Sequence, residues 1–413
     1  MEPRGPLDGV TVIELAGLGP CPMCGMLLAE LGATVLRIER VRPSGLGFDL
    51  APEDDLLHRS RPAVAVDLRR PEGVELVLAL AERAEALIEG FRPGVMERLG
   101  LGPDACARRN RRLVYGRVTG WGQSGPLAGS AGHDLNYIAL TGALHAIGRA
   151  GQPPAPPLNL VGDFGGGALY LAVGVLAALV EARQSGRGQV VDAAMVDGAA
   201  SLMTAAYALR AAGLANDRRG TNVLDGGAHY YDVYETRDGR HLAVAPIEPK
   251  FYAELLRRLD LDPDALPQAP REDWPAHKAA LAAAFRSRTR DEWMTVFEGS
   301  DACVAPVLDL DEAPRHPHNR ARDTFVRRAG RWQPNAAPRF SRTPSRIRSD
   351  PAPAGPDPRE TLRAWGIGDR DGDRRIDIDA LIAAGVIGPR ESDGGAPADP
   401  APADGPLRNG RDD

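Results

Sequence analysis

Residues 10–39 read VTVIELAGLGPCPMCGMLLAELGATVLRIE and contain the pattern that predicts the fold. Residues 10–15 and 34–39 are rich in aliphatic and β-branched residues, as buried strands are. Between them, a glycine turn leads into an apolar-periodic stretch that reaches Leu31 and predicts a helix. A strand, a helix and a second strand in this order form a βαβ unit with parallel strands. This stretch therefore predicts an α/β fold.

The same alternation continues along the chain. Helices are predicted at residues 71–84 and after Asp163, and they lie between further strand-like segments. A succession of strands and helices predicts a large domain with a Rossmann-like parallel sheet. The further strands are predicted at residues 62–68, 86–89, 113–118 and 189–195.

From about residue 230 the pattern changes. Residues 231–236 and 241–245 flank a short polar turn and predict a hairpin, which is followed by helical segments. This change predicts a second, smaller α+β domain. The predicted division is residues 1–198 for the N-terminal part of the large domain, 199–229 for a linker helix and junction, 230–325 for the small domain, 326–387 for a return segment to the large domain, and 388–413 for a disordered tail.

Composition and charge narrow the class of protein. The chain has 413 residues, of which 43% are hydrophobic, so it can bury a large core. Its net charge of −6 argues against a nucleic-acid-binding protein. No signal-peptide pattern is recognisable, and no uninterrupted apolar run reaches the roughly 18 residues that span a bilayer. We therefore expect a cytoplasmic protein that binds neither nucleic acid nor a membrane.

Two motifs near the start of the chain suggest other chemistry. Gly17 and Gly19, with Glu39 at the end of the second strand, resemble part of a dinucleotide-binding fingerprint, but a proline replaces its third glycine. Cys21 and Cys24 form a C-x-x-C motif, but no second pair of ligands completes a zinc site. We therefore predict that the protein binds neither a metal ion nor a nicotinamide cofactor.

Residues 120–167, GWGQSGPLAGSAGHDLNYIALTGALHAIGRAGQPPAPPLNLVGDFGGG, contain the best candidates for a site. Asp163 precedes three glycines and an apolar helix, as an N-cap residue does. The glycines would let a ligand approach the backbone, where first-turn N–H groups favour negative charge. Alternatives remain open from the residues alone. Asp163 is either a cap or a catalytic carboxylate, and His133 is either a satisfied polar group or a catalytic base.

A set of motifs carries a resemblance to a known family. The chain resembles the family III CoA-transferase superfamily from about residue 6 to about residue 340. Within that superfamily it is most similar to the racemase branch, whose members invert the α-carbon of 2-methylacyl-CoA thioesters. Transferase members usually carry a non-basic residue at the position of His133. The motifs are PLDGVTVIELAGLGP (6–20), FRPGVMERLGLGP (91–103), VTGWGQSGP (118–126), AGHDLNY (131–137), PLNLVGDFGGG (157–167) and GRGQVVDAAMVDG (186–198).

The resemblance implies a catalytic set of His133, Asp163 and Glu248. Inversion next to a thioester carbonyl removes a proton from one face and returns one to the other, so two acid/base groups must flank the carbon. His133 and Asp163 would be these groups, and Glu248 would orient the histidine. We expect the enolate oxygen to be held by helix-terminal N–H groups near the glycine turn. CoA is part of the substrate, so no separate cofactor is predicted.

The resemblance also implies a set of residues that bind the acyl-CoA substrate. Arginines at the ends of elements around the sheet would bind the phosphates and adenine, because a guanidinium donates two bonds to phosphate at once. The sequence around residues 59–62 departs from the family pattern. The predicted substrate-binding residues are Arg40, Arg59, Arg92, Arg98, Tyr137, Asn159, Gly165 and Gly166.

Two alternative functions remain open, and the resemblance also implies a quaternary structure. A CoA-transferase would use Asp163 as the nucleophile, and a CoA-binding protein without catalysis would need neither base. The family's fold implies an interlocked homodimer, in which the large domain of one chain and the small domain of the other close each site.

Overall fold

We analysed a computed structural model, which describes residues 5–42, 45, 48, 50–353, 355, 357–368 and 376–388. The strands are β1 (Thr11–Leu15), β2 (Thr34–Glu39), β3 (Ala63–Val66), β4 (Ala86–Glu89), β5 (Val114–Thr119), β6 (Val190–Ala194), β7 (Asp232–Glu235), β8 (His241–Val244), β9 (Val304–Pro306), β10 (Phe325–Arg328), β11 (Arg331–Pro334) and β12 (Ile387–Gly388).

The α-helices are α1 (Pro20–Glu30), α2 (Pro71–Ala81), α3 (Val95–Arg98), α4 (Pro103–Arg109), α5 (Asp134–Ala139), α6 (Ala143–Ala146), α7 (Leu169–Ser185), α8 (Met195–Leu202), α9 (Thr204–Ala211), α10 (Pro249–Leu259), α11 (Trp274–Phe285), α12 (Arg290–Phe297), α13 (Pro317–Ala321), α14 (Arg359–Ala364) and α15 (Ile378–Ala383). A π-helix (Leu160–Ala168) precedes α7, and short 3₁₀ helices occupy Leu56–His58, Arg271–Asp273 and Ala313–Arg315.

The largest element is a seven-stranded sheet in the order β12-β3-β2-β1-β4-β5-β6. Its neighbouring strands are parallel except for β12, which pairs with β3 in the antiparallel sense. The chain thus winds outward from β1 in both directions, as in Rossmann-like folds. The predicted α/β class with a large parallel sheet is confirmed.

Two apolar cores cover the two faces of this sheet. On one face α1 and α7 pack over β1, β4 and β5, and on the other α2 packs with the C-terminal helices. Central strands such as β4 are buried along their whole length because both faces are covered. The prediction of a buried strand at residues 189–195 was wrong in part. Val190 is 49% exposed, because β6 lies at the edge of the sheet.

The helical stretch Leu160–Ser185 is long and apolar enough to cross a membrane by length and composition. Asp163 and Glu181 interrupt this stretch, so it does not count as an uninterrupted apolar run in the sequence. In the structure, its buried residues, which include Leu171 and Val175, pack in the core that covers β4 and β5.

A separate antiparallel sheet, in the order β7-β8-β9, lies in sequence between β6 and β12 of the large sheet. Its inward-facing residues Tyr234, Leu242 and Val244 form a third core with α10, α11 and α12. The predicted hairpin at residues 231–236 and 241–245 is confirmed as β7 and β8. The linker predicted as one helix is two helices, α8 and α9, which meet at Met203.

The C-terminal segment returns to the large sheet. Leu362 and Trp365 pack with Leu381 and Ile387 in the core on the α2 face. Gly388, predicted to start a disordered tail, pairs with Ala65 in β12. The rest of that predicted tail, residues 389–413, lies outside the described residues.

Candidate active site

The candidate site lies where the strand order reverses, at the carboxyl ends of β1 and β4. Open parallel sheets bind ligands at such a switch point. After β1 the chain turns at Gly19, which has a φ of 63° and precedes α1. A β-carbon on Gly19 would lie 3.0 Å from Oδ2 of Asp163. Glycine therefore lets the start of α1 approach the carboxylate of Asp163.

Asp163 lies within the π-helix, and the N-cap position belongs to Asn159. The prediction that Asp163 caps a helix was therefore wrong, and with it the interpretation that this residue is only a cap. Asn159 Nδ2 donates to Asp163 Oδ2 at 3.1 Å. Burial raises the pKa of Asp163, and the nearby Asp134 charge raises it further. The hydrogen bond from Asn159 and the proximity of His133 act in the opposite direction.

His133 immediately precedes α5, and its backbone N–H donates to Asn136 Oδ1 at 3.0 Å. The side chain is exposed. The neighbouring residue Asp134 accepts the backbone N–H of Asp163 at 2.7 Å, so the segments that carry His133 and Asp163 are in contact although 30 residues separate the two groups in sequence. The fold thus brings together the two groups that the sequence singled out.

Asp134 connects the two segments that carry these groups. Its carboxylate Oδ2 accepts the backbone N–H of Gly162 at 2.6 Å and that of Asp163 at 2.7 Å. The carboxylate therefore occupies both N–H groups, so they are not free to hold an enolate oxygen. That other N–H groups near the glycine turn hold this oxygen stays a prediction. Asp134 was recognisable in the sequence as the acidic half of a His-Asp pair, but it was assigned no role there.

The two glycines expected to contact substrate have another role. A β-carbon on Gly166 would lie 2.6 Å from the backbone nitrogen of Ala199, and one on Gly165 would lie 3.1 Å from Leu202 Cδ1. Both contacts are with α8. A β-carbon on Gly198 would in turn overlap the carbonyl oxygen of Gly166. Glycine at positions 165 and 166 therefore allows the π-helix to pack against α8. The assignment of Gly165 and Gly166 to substrate binding stays a prediction.

Tyr137 forms part of the wall of the site. Its hydroxyl donates to the carbonyl oxygen of Gly132, and its ring packs edge-on against Trp121 with centroids 4.8 Å apart. Burial raises the pKa of Tyr137, and the nearby Asp163 raises it further. The positive charge of Arg92 acts in the opposite direction.

Three of the four predicted arginines are exposed. Arg40 lies over the ring of Phe91 at 5.7 Å, and Arg98 Nη1 would be 3.3 Å from a β-carbon on Gly94. In the part of the chain that the structure describes, the guanidinium groups of Arg40, Arg92 and Arg98 form no ion pair. All three follow strands β2 and β4, near the switch point.

Arg59 was predicted to bind the substrate, but the structure places it in the interior of the protein. Its side chain is 3% exposed. Nε donates to Glu30 Oε1 at 2.5 Å, while Nη1 donates to Gln333 Oε1 at 2.7 Å and to the carbonyl oxygen of Pro334 at 2.9 Å. Arg59 therefore joins the end of α1 to β11 instead of facing a ligand. This agrees with the departure from the family pattern around residues 59–62.

Glu248 belongs to a different part of the chain from the other candidate residues. It is exposed, precedes α10 and belongs to the segment with the small sheet. Burial raises the pKa of Cys303, and the charge of Glu248 raises it further. Among the described residues, no hydrogen bond or ion pair joins Glu248 to His133. Within one chain, the described hydrogen bonds link the segments of His133 and Asp163 to each other but not to Glu248.

The motifs of residues 17–39 are involved in internal contacts. Glu39 is 4% exposed, and its Oε1 accepts a hydrogen bond of 2.9 Å from Arg37 Nε. It is therefore not available to bind a ribose, as the dinucleotide interpretation requires. Cys21 and Cys24 are buried, and burial raises the pKa of both thiols. Buried thiols that stay protonated behave as small apolar core residues.

The fold and site define a class of protein with known structures. A CAIB/BAIF family protein from Brucella suis superposes with a TM-score of 0.73, covering 87% of this chain and 99% of that one, at 24% identity. The similarity at this level of identity establishes the fold.

The chain belongs to CoA-transferase family III, whose family model matches residues 7–357. Alpha-methylacyl-CoA racemase from Mus musculus is 44% identical over 386 residues, which cover 91% of this chain and 99% of the mouse protein. The Homo sapiens protein of the same name is 43% identical and covers 82% of this chain and 87% of its own length. The predicted family resemblance is confirmed.

Proposed function

We propose that the protein is an isomerase that inverts the α-carbon of 2-methylacyl-CoA thioesters. The observation that carries the proposal is the contact, at the switch point of the sheet, between the segment of Asp163 and Asp134, the residue that follows His133. The raised pKa of Asp163 brings a carboxyl group nearer to the range in which it can both accept and donate a proton. The racemase names of the mouse and human relatives support the same reaction.

In the proposed mechanism, the two bases act on opposite faces of the α-carbon. One base removes the α-proton and leaves an enolate, and the conjugate acid of the other base delivers a proton to the opposite face. His133 and Asp163 exchange these roles when the other enantiomer is the substrate. The N–H groups of Gly162 and Asp163 do not hold the enolate oxygen, because Asp134 occupies them.

The proposed substrate is bound partly by charge. Exposed Arg40, Arg92 and Arg98 would bind the phosphate groups of CoA, because their guanidinium groups are not paired with carboxylates in the described structure. Arg40 lies over the ring of Phe91, and its planar guanidinium group could also stack on the adenine ring. CoA enters and leaves as part of the substrate.

The complete site would need two chains. Glu248 makes no contact with His133 of its own chain, and the surface beside the site is apolar. Leu169, Tyr170 and Val173 on α7 are between 36% and 66% exposed. These observations support an interlocked homodimer that buries this surface and in which Glu248 of the partner subunit orients His133. A folded, active monomer in native mass spectrometry would contradict this assembly.

One experiment separates this function from its alternatives. A single enantiomer of a 2-methylacyl-CoA is incubated with the protein in heavy water, with and without a free carboxylic acid. Incorporation of α-deuterium together with loss of optical purity supports the racemase. Transfer of CoA to the free acid without inversion would instead assign Asp163 the role of a transferase nucleophile. Binding without either reaction would leave only a CoA-binding protein.

A further inference from the structure

We propose that Asp134 is a positioning residue for both bases. Its buried carboxylate fixes the segment that carries Asp163 against the start of the helix that follows His133. The inference rests on the proposed racemase function. Asp134 is the first residue of α5, so its backbone is bonded directly to that of His133. Its Oδ2 accepts the N–H groups of Gly162 and Asp163. The contacts of this one oxygen atom thus hold the backbone of Asp163 close to the backbone of His133.

Asp134 is tightly packed at its contact with Gly162 and Asp163. The residue is 6% exposed, and a β-carbon on Gly162 would lie 2.5 Å from Oδ2. Only glycine therefore lets the π-helix approach the carboxylate. The second oxygen, Oδ1, is buried and has no hydrogen-bond partner among the described residues. An unpaired buried oxygen reduces stability, so packing alone does not account for a carboxylate here.

The charge of Asp134 also acts on the proton affinity of Asp163. Burial is the largest cause of the raised pKa of Asp163, and Asp134 adds to it, whereas Asn159 and His133 oppose it. From α5, Tyr137 also faces this carboxylate, and from α1 the approaching group is the uncharged backbone of Gly19. Asp134 is thus the negative charge that favours the protonated form of Asp163, which must donate a proton in one direction of the reaction.

The test uses Asp134→Asn in the full-length protein. Asparagine keeps the shape and an acceptor oxygen but removes the charge. We expect the acid limb of the pH profile of kcat/KM for inversion to move to lower pH. The rate at the optimum should fall by between about tenfold and about 10²-fold, the scale of a small misplacement of reacting groups. Circular dichroism and CoA binding should stay as in the unsubstituted protein.

A matched control removes a similar charge elsewhere. Asp377 also stands at the start of a helix, where its carboxylate accepts the N–H of Ala380 at 3.1 Å. Asp377→Asn should leave the rate and the acid limb unchanged. Asp134→Ala, which also removes the acceptor, should slow deuterium exchange of both enantiomers by roughly 10²-fold.

The outcomes separate the inference from the proposed function. An Asp134→Asn protein with an unmoved acid limb overturns the inference even if it is slower, because a purely structural role lowers the rate without changing the proton affinity of Asp163. An Asp134→Asn protein with unchanged kinetics also overturns it. If the unsubstituted protein exchanges no α-proton, the proposed function fails and the inference fails with it.

Discussion

Replacement of either proposed base, His133 or Asp163, should lower the rate of inversion far more than it lowers the stability of the fold. Asp163→Ala removes one side-chain hydrogen bond, from Asn159, which is worth about 0.5–1.5 kcal/mol of stability. Loss of a general base costs about 10²–10⁴-fold in rate, or roughly 3–5 kcal/mol in the barrier. We therefore expect inversion of both enantiomers to fall by at least about 10²-fold, while the midpoint of chemical denaturation changes little.

The same assay applied to His133→Ala gives the complementary result. Inversion should be lost from both enantiomers, but exchange of solvent deuterium should survive from the face that Asp163 serves. The measurement follows deuterium content by mass spectrometry and optical purity by chiral chromatography of the released acid. A loss of only about twofold in either variant, with CoA still bound, would refute the reasoning that these residues carry the proton transfers.

Three further predictions concern stability and the shape of the site. Gly19→Ala introduces a side chain at a φ of 63° beside the proposed catalytic carboxylate, so we expect a loss of about 1–2 kcal/mol together with a more than tenfold loss of rate. Gly186→Ala is the matched control, because Gly186 has a φ of 74° but nothing within 4 Å of an added β-carbon, and its rate should persist. His229 is fully buried and its pKa is lowered to about 4, chiefly by burial. Its neutral form stabilises the fold above the unfolded pKa of about 6.5, and this contribution is lost as pH falls toward 4. Denaturant titrations should therefore give about 2 kcal/mol less stability at pH 5 than at pH 7, and His229→Gln should reduce that difference. Arg61→Met leaves the carboxylate of Glu14 buried without its partner at 2.6 Å, and unfolding free energies should fall by roughly 3–5 kcal/mol, whereas replacing both residues by apolar ones should recover most of the loss.

The course of the large sheet could be predicted from residues 10–39 and their successors, because strands buried on both faces leave continuous apolar runs. The position of β6 could not be predicted in the same way. Residues 190–194 have the composition of a buried strand, and their exposure follows from the strand order, which depends on contacts distant in sequence. The pairing of β12 with β3 joins residues more than 300 positions apart and left no local signal.

In the site, the residue types were predictable but their partners were not. Asp163 before three glycines has the local pattern of a cap. Asp163 instead lies within a π-helix, which packs closely through Gly166 against Gly198 on a different helix, and this contact is not visible in the local sequence. Arg59 has the composition of a phosphate ligand, yet its partners are Glu30 and Gln333, and the latter lies 274 residues away. The side chain alone does not specify whether an arginine meets a phosphate or a buried glutamate.

The pairing of β12 with β3 also has a consequence for biosynthesis. Until Ile387 has been made, the edge of β3, with the sequence AVAV, has no strand to cover it. About 320 residues of translation separate the two strands, which takes roughly 15–65 s at about 5–20 residues per second. Throughout that time the nascent chain presents an apolar strand edge with open backbone groups, which is a template for pairing with other chains. We therefore expect ribosome-associated chaperones to protect β3 during this time, and a chain that stops before Ile387 would keep that edge open.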